Sequence, residues 1–142
     1  MTLGINIFSG EPGLGGALTN PTELARRKGA VPRPYPVIYG GKRWIEAESA
    51  YQAFKTDDAT ANDEIMAQVI AAKLLQNPEL FDEIQSRGGV AFLEASTHWT
   101  GARTPGAQSW EGAGRESRFI RNLIRGFEFA LKGQSESQAS LF

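Results

Sequence analysis

The sequence predicts a single, mainly α-helical domain that carries a small β-element. Apolar residues recur every three or four positions over residues 62–75 and 115–131, the spacing that buries one face of a helix. Two short β-prone runs flank Gly40–Gly41, a pair typical of a tight hairpin turn. A chain of 142 residues is long enough for one hydrophobic core. We therefore expect one domain over residues 1–132 and a disordered polar tail over residues 133–142.

The N-terminal region is expected to consist mostly of loops. Leu3, Ile5 and Ile7 alternate with other residues, which predicts a short strand that ends at the turn-rich stretch SGEPGLGG. The glycines of this stretch admit a phosphate-binding loop or a flexible turn, and their spacing matches no phosphate-loop motif. Residues 20–36 are rich in proline and predict a long extended loop, which is either solvated or functional. Its basic residues are Arg26, Arg27, Lys28 and Arg33.

The remaining elements follow from caps and periodicity. The hairpin over residues 36–45 leads into a short helix over residues 45–55. Asn77–Pro78 starts a further helix that Gly88–Gly89 ends. Residues 90–96, VAFLEAS, predict a short buried strand or extended segment. A long loop over residues 97–114, with two tryptophans and His98, precedes the last helix, whose basic face is expected to be solvated and carries Arg118, Arg121 and Arg125.

Composition excludes several classes of protein. The formal charge of −1 gives no overall attraction to nucleic acid or to a membrane surface. The chain has no cysteine and one histidine, which argues against a zinc site, whereas a magnesium ion held by carboxylates stays open. No segment approaches the ~20 apolar residues of a membrane span, and the N-terminal residues lack the features of a signal peptide. We expect a cytoplasmic protein that uses no metal or cofactor and contacts no membrane.

The stretch IEAESAYQAFK, residues 45–55, has the most unusual polar pattern of the chain. Glu48, Gln52 and Lys55 are four and three positions apart, so a helix places them on one face over about 10 Å. Such a face is either solvated surface or part of a reaction centre. The spacing alone does not decide between these two interpretations.

The same stretch resembles the signature of the NADAR family, also called YbiA-like. In that family a Glu precedes a Tyr-Gln pair and a Lys closes the helix, as in AESAYQAFK. Further similarities follow in order along the chain. They are LTNP at 18–21, GGKRW at 40–44, IMAQVIAAKLLQNPEL at 65–80, FLEAS at 92–96 and WEGAGRES at 110–117. One departure is that only TDDATAND joins the Glu helix to the next helix, where family members often carry a longer stretch with an Asp-Trp pair.

The resemblance implies a YbiA-like fold and an N-glycosidase that acts on ribosyl-linked substrates. These include ADP-ribosylated guanine in nucleic acid and phosphorylated riboflavin-pathway intermediates. Cleavage of the C1′–N bond builds positive charge on the ribosyl ring, and the carboxylate of Glu48 would stabilise it or guide water. Lys55 would protonate the leaving base or attack C1′ of the ring-opened sugar. The alternative is a non-catalytic module that binds ADP-ribose or NAD, and a third possibility is a structural or partner-binding protein.

A nucleotide-like substrate also needs phosphate and ring contacts. Gly112 and Gly114, just before the helix expected from residue 115, would offer backbone N–H groups to a phosphate, and Arg115 would add a bidentate contact. The alternative is a plain glycine-rich start of a helix. The remaining candidates are the stacking residues Trp44, Trp99 and Trp110, and Asn20, Tyr51, Gln52 and Lys73, which lie within or beside the family-like motifs.

Overall fold

A computed structural model describes residues 2–139 of the chain, with side chains up to residue 135. The described part is a mainly helical domain with two small antiparallel sheets. The helices are α1 (Leu14–Leu18), α2 (Thr22–Arg27), α3 (Ala47–Phe54), α4 (Ala59–Gln76), α5 (Pro78–Arg87), α6 (Val90–Glu94), α7 (Pro105–Gln108) and α8 (Arg118–Ala139). The strands are β1 (Val37–Tyr39), β2 (Lys42–Trp44), β3 (Thr97–His98) and β4 (Gly112–Ala113).

The two longest helices, α4 and α8, pack against each other and form the centre of the domain. α8 buries a continuous apolar face that includes Ile120, Leu123 and Phe127, as its periodicity predicted. A Cβ atom at Gly126 would lie 2.6 Å from Cγ2 of Ile70 in α4, so the two helices approach closely at this glycine. The prediction of a mainly helical domain built on these segments is confirmed.

The hairpin is confirmed as well. β1 and β2 are antiparallel, with Val37 opposite Trp44. Gly40 and Gly41 between them have φ of 62° and 76°, the left-handed conformation that a two-residue turn requires at both positions. The hairpin delivers the chain into α3, which therefore begins at a fixed place beside α4.

Five segments differ from the sequence-based expectation. The helix expected over residues 45–55 ends at Phe54, so Lys55 follows it with extended backbone. The expected loop over residues 97–114 contains β3, α7 and β4. Residues 3–7 form a single bridge, between Asn6 and Thr97, rather than a strand. The expected loop over residues 20–36 contains α2, and VAFLEAS forms α6 rather than a strand. The reason for the last difference is local: Gly89, with φ of 65°, lets the chain start a new helical turn, and a short apolar run fits a buried helix as well as a strand.

Both ends of the last helix also differ from expectation. A short 3₁₀ turn over Gly114–Glu116 precedes α8, which begins at Arg118 because the Ser117 hydroxyl caps it by accepting the N–H of Ile120 at 3.1 Å. The helix continues to Ala139, so residues 133–139 of the tail expected to be disordered are helical. This stretch contains no proline, and Gly133 packs against Leu75. Residues 140–142 lie outside the described part.

Within residues 2–139, every helix falls short of the length and apolar character that crossing a membrane requires.

Candidate functional site

A cavity of about 480 Å³ lies between α3, the N-terminal segment and the loop before α8. Its volume matches that of a pocket for a small molecule. Its lining combines aromatic rings, amides, hydroxyls and charged groups. The lining residues are Phe8, Ser9, Thr19, Asn20, Pro21, Leu24, Lys28, Glu48, Tyr51, Gln52, Lys55, Met66, His98, Thr100, Ala102, Ala107, Trp110 and Phe119.

The polar face of α3 is part of this lining. Glu48, Gln52 and Lys55 all line the cavity, together with Tyr51 from the same helix. Oε1 of Glu48 accepts a hydrogen bond of 2.8 Å from Nε2 of Gln52, one turn later. Glu48 is half-buried, whereas Gln52 and Lys55 are exposed at the rim. The helix therefore presents a carboxylate inside the cavity, and Lys55, the residue that follows it, places a cation at the edge.

Asn20 is held directly beside Glu48 by backbone contacts. The carbonyl of Asn20 accepts the N–H of Glu48 at 3.2 Å, and the side chain of Glu46 accepts the N–H of Glu23 at 2.7 Å, at the start of α2. These two contacts join the starts of α2 and α3. The side chain of Asn20 lines the cavity, and its Oδ1 is buried without a hydrogen-bond partner among the described residues. A buried acceptor of this kind is satisfied when a ligand donates to it.

Lys73 is bonded to the backbone of Thr19, the residue before Asn20. Its side chain is 2% exposed, and Nζ donates a hydrogen bond of 2.8 Å to the carbonyl of Thr19. Burial lowers the pKa of Lys73 to about 7, against the opposing attraction of Glu46. Lys73 does not line the cavity, so the expectation that it contacts substrate directly is replaced by a positioning role for the Thr19–Asn20 segment.

An aromatic surface closes another part of the cavity. Trp110 and Tyr51 meet edge to face, with ring centroids 6.3 Å apart. The guanidinium of Arg118 lies 3.9 Å from the centroid of the Trp110 ring and also donates to Asp63 at 2.7 Å. Arg118 therefore covers one face of the indole. Burial raises the pKa of Tyr51, so its hydroxyl stays protonated at neutral pH and is a hydrogen-bond donor.

His98 lines the cavity in a fixed tautomer. Its Nδ1 lies 2.6 Å from the carbonyl of Ile7, and because a carbonyl only accepts, Nδ1 carries the proton. Burial lowers the pKa of His98, so the ring is neutral at pH 7 and Nε2 is an acceptor. The ring packs against Phe119 with centroids 4.6 Å apart. Hydrophobic periodicity does not predict that His98 lines a cavity, because its position depends on the pairing of β3 with β4.

The remaining predicted residues lie outside the cavity lining. Trp44 packs in the hairpin, where its Nε1 donates to the carbonyl of Tyr39 at 3.0 Å and its ring meets Phe54. Trp99 is 53% exposed. The side chain of Arg115 is exposed and pairs with Glu94 at 3.2 Å. Of the three tryptophans expected to stack on a ring, only Trp110 therefore lines the cavity.

Close packing against the backbone explains why glycine stands at positions 112 and 114. A Cβ at Gly114 would lie 2.4 Å from the carbonyl oxygen of Glu94, and one at Gly112 would lie 2.9 Å from the nitrogen of Ser117. The N–H of Gly114 is already bonded to the carbonyl of Ser96 at 2.8 Å. The phosphate site expected at this turn thus lies outside the cavity lining, and one of its two glycine N–H groups is bonded within the protein.

The sequence-based reasoning missed Ser9 and Lys28 as cavity residues. Lys28 was recognised as part of a basic loop, but the pattern did not show which of its cations faces inward. Nζ of Lys28 donates a hydrogen bond of 2.7 Å to the hydroxyl of Ser9, and both residues line the cavity. Two other basic side chains of this loop form ion pairs with carboxylates. Arg26 pairs with Glu23, and Arg33 pairs with Glu79.

Two arginines of the α8 basic face form ion pairs with carboxylates of α4. Arg118 pairs with Asp63 and Arg125 with Glu64, while Arg121 and Arg125 remain exposed, as expected of a solvated face. Arg121 donates to the carbonyl of Arg115 at 2.7 Å. Among residues 2–139, no group of three or more His, Asp or Glu side chains is arranged to hold a metal ion.

Comparison of the chain with protein-family models, with curated proteins and with solved structures gave no match. The resemblance to the NADAR family therefore stays a prediction that rests on the quoted motifs.

Proposed function

We propose that this cavity is the active site of an N-glycosidase that hydrolyses the bond between a ribosyl group and a base. The substrate would be a ribosyl phosphate or an ADP-ribosyl compound, in a domain of YbiA-like fold. One observation carries the proposal: Glu48 and Tyr51 of α3, and Lys55 directly after it, line a single cavity that Trp110 also lines. A carboxylate, a hydroxyl donor, a cation and a ring surface are the groups that this reaction uses.

The chemistry would centre on Glu48. When the C1′–N bond breaks, its electrons leave with the base and positive charge develops on C1′ and the ring oxygen of the sugar. A carboxylate close to that charge stabilises the transition state more than the ground state. Water then supplies the oxygen that bonds to C1′, and its proton balances the proton given to the leaving base. Glu48 is suited to this role because Gln52 holds only one of its oxygens by the hydrogen bond described above.

The leaving base would lie against the aromatic surface. Trp110 offers a ring face for stacking, and the Tyr51 hydroxyl of α3 and the ammonium of Lys55, directly after α3, are proton donors in the lining. The exposed position of Lys55 favours its role as an acid over that of a Schiff-base nucleophile, since a nucleophilic lysine is usually desolvated. Asn20 would accept a hydrogen bond from a sugar hydroxyl or an N–H of the base.

The internal pairing of the α8 arginines favours a small nucleotide-like substrate over a long nucleic acid. A nucleic-acid backbone is usually bound by lysines and arginines that are free to contact phosphates. Arg118 and Arg125 are paired with carboxylates instead. ADP-ribosylated guanine as a nucleoside or nucleotide and a ribosyl-phosphate intermediate of the riboflavin pathway are the first substrates to test.

The test is a product assay. The purified protein is incubated with each substrate, and the released base and sugar phosphate are followed by chromatography. We expect time-dependent release by the wild type and a loss of about 10²-fold or more in Glu48→Gln, which keeps shape but removes the charge. Glu128→Gln, an exposed glutamate on α8, is the matched control and should retain full turnover.

A binding module would give a different result. Such a protein would bind ADP-ribose or NAD with measurable affinity, release no product, and show the same binding in Glu48→Gln. Absence of both turnover and nucleotide binding would remove the cavity from consideration as a nucleotide site.

A further inference from the structure

The cavity lining contains two lysines whose charge no carboxylate of the described residues balances. Lys28 and Lys55 line the cavity, and neither forms an ion pair with a carboxylate within the part of the chain that the structure describes. Glu48 is the single acidic residue in that lining. The described ion pairs all use arginine, and their members are Arg26–Glu23, Arg33–Glu79, Arg87–Glu83, Arg115–Glu94, Arg118–Asp63 and Arg125–Glu64.

Lys28 is an exposed residue whose ammonium group is directed by a hydrogen bond to Ser9. It follows the last turn of α2, where its backbone N–H bonds to the carbonyl of Leu24 at 3.0 Å. Its Nζ donates a hydrogen bond to the hydroxyl of Ser9, nineteen positions earlier in the sequence. Ser9 is only 9% exposed. A hydroxyl partner directs the ammonium without neutralising it. Two of the three ammonium protons remain for another acceptor.

We propose that Lys28 and Ser9 form the subsite that binds the phosphate group of the substrate. This inference rests on the proposed function for the identity of the substrate, but the subsite itself requires only an anion. An ammonium and a hydroxyl 2.7 Å apart offer two donors to neighbouring phosphate oxygens. The subsite replaces the phosphate site expected at Gly112, Gly114 and Arg115, where the donors are used by the protein.

The placement also divides the substrate among the elements of the lining. Glu48 and Tyr51 on α3 would contact the sugar and the scissile bond, and Trp110 would contact the base. Lys28 and Ser9 come from the end of α2 and from the N-terminal segment, so they are available for the phosphate of a 5′-phosphorylated or diphosphate-linked ribose. A neutral nucleoside would leave this subsite empty and should bind more weakly than its phosphorylated form.

The experiment uses inorganic pyrophosphate and ADP-ribose as probes, titrated into the full chain by calorimetry at low and at physiological salt. We expect both to bind, with affinities that fall as salt screens the charge. Lys28→Met should weaken both by about tenfold or more, the effect of losing one charge-assisted hydrogen bond. Ser9→Ala should weaken them by a smaller factor, since it frees the ammonium without removing its charge. Lys42→Met, an exposed lysine of the hairpin, is the matched control.

The outcomes separate the subsite from the proposed reaction. Binding that depends on Lys28 together with absence of turnover on every substrate would keep the subsite and overturn the glycosidase. Turnover with pyrophosphate and ADP-ribose affinities unchanged in Lys28→Met would keep the enzyme and overturn the subsite. Absence of pyrophosphate binding to the wild type would overturn the subsite as well. Equal melting temperatures of the variants would show that each folds.

Discussion

The face of α3 and the start of α8 both combine polar groups with a helix, but they use those groups in opposite ways. On α3, Glu48 keeps one carboxylate oxygen outside its bond to Gln52, and Lys55, directly after α3, has no carboxylate partner within the described residues. At the start of α8, the N–H groups of Gly114 and Ser117 and the hydroxyl of Ser117 are bonded to protein acceptors. The comparison shows that the polar groups around α3 keep hydrogen-bonding capacity for a ligand, whereas these groups before α8 are used by the protein.

The largest effect is expected for Glu48. Glu48→Gln should reduce turnover by about 10²-fold or more and leave the melting temperature close to that of the wild type, because the half-buried side chain contributes charge rather than packing. Steady-state kinetics on a confirmed substrate and a thermal melt measure the two effects. Full activity in this variant would mean that the α3 face is solvated surface and that the comparison with α8 fails.

Replacement of Trp110 should have a large effect on substrate binding. Trp110→Ala removes the ring surface and should weaken substrate binding by about tenfold or more, the usual effect of losing one stacked ring. Trp99→Ala, which removes an indole outside the cavity lining, should leave binding unchanged. Equilibrium titration with ADP-ribose measures both. Equal losses in the two variants would indicate that neither ring stacks on the ligand.

Lys55 separates two mechanisms. Because Lys55 would act as an acid at the rim, Lys55→Met should lower turnover by about 10²-fold, the lower end of the contribution of general acid catalysis. Borohydride added during turnover should then leave the wild-type mass unchanged. A covalent adduct trapped in the wild type and absent from Lys55→Met would instead establish a Schiff base and overturn the assignment as an acid.

Lys73 gives a pH dependence of stability. Lysine ordinarily has a pKa of 10.5, and burial lowers that of Lys73 to about 7. Between these values the unfolded chain binds a proton that the folded chain does not, so the free energy of unfolding should rise with pH, by at most ~1.4 kcal/mol per unit. Below pH 7 this contribution is flat, because both states are protonated.

Urea unfolding at pH 7, 8 and 9 measures the rise, and Lys73→Met is the control that should lack it. The window stays below pH 10 because burial also raises the pKa of Tyr39 and Tyr51, whose titration in the unfolded chain opposes the trend. Parallel pH profiles for the wild type and the variant would place Lys73 in a more polar environment than the structure gives it.

The smallest effect is expected for Arg115. Its ion pair with Glu94 is solvent-exposed, and such pairs contribute about 0–1 kcal/mol to stability. Arg115→Ala should therefore leave ADP-ribose affinity unchanged and shift the melting temperature only slightly. A clear loss of affinity would return the start of α8 to the site and weaken the contrast with α3.

The parts of the molecule that the sequence predicts well are those that depend on local spacing. The four-residue interval between Glu48 and Gln52 places them on one face of α3, and the paired glycines of the hairpin have a local steric meaning. Lys55 was expected on the same helical face, but α3 ends one residue before it. The side chain of Lys28 points to the cavity because it bonds to Ser9, nineteen residues away. In the sequence, Lys28 is one of several neighbouring basic residues, and nothing in their order distinguishes it from the arginines. A single sequence contains no signal for such a contact.

The glycines before α8 show the converse case. Gly112 and Gly114 predict backbone N–H groups that are open to a phosphate. The N–H of Gly114 is bonded to Ser96 instead, and a Cβ at either glycine would meet Glu94 or Ser117. A glycine requirement is visible in sequence, whereas the group that creates it is not. The same limit applies to α6, whose short apolar run satisfies burial equally as helix or strand.

Arg118 covers one face of the Trp110 indole, so an aromatic ligand reaches this ring from the other side only. Stacking there would change the fluorescence of one tryptophan in three. Trp44 is held in the hairpin and Trp99 is open to solvent, so their emission should stay constant and supply an internal baseline. The intrinsic fluorescence of Trp110 therefore reports whether the cavity is occupied, and ligands of unknown identity can be screened without a label.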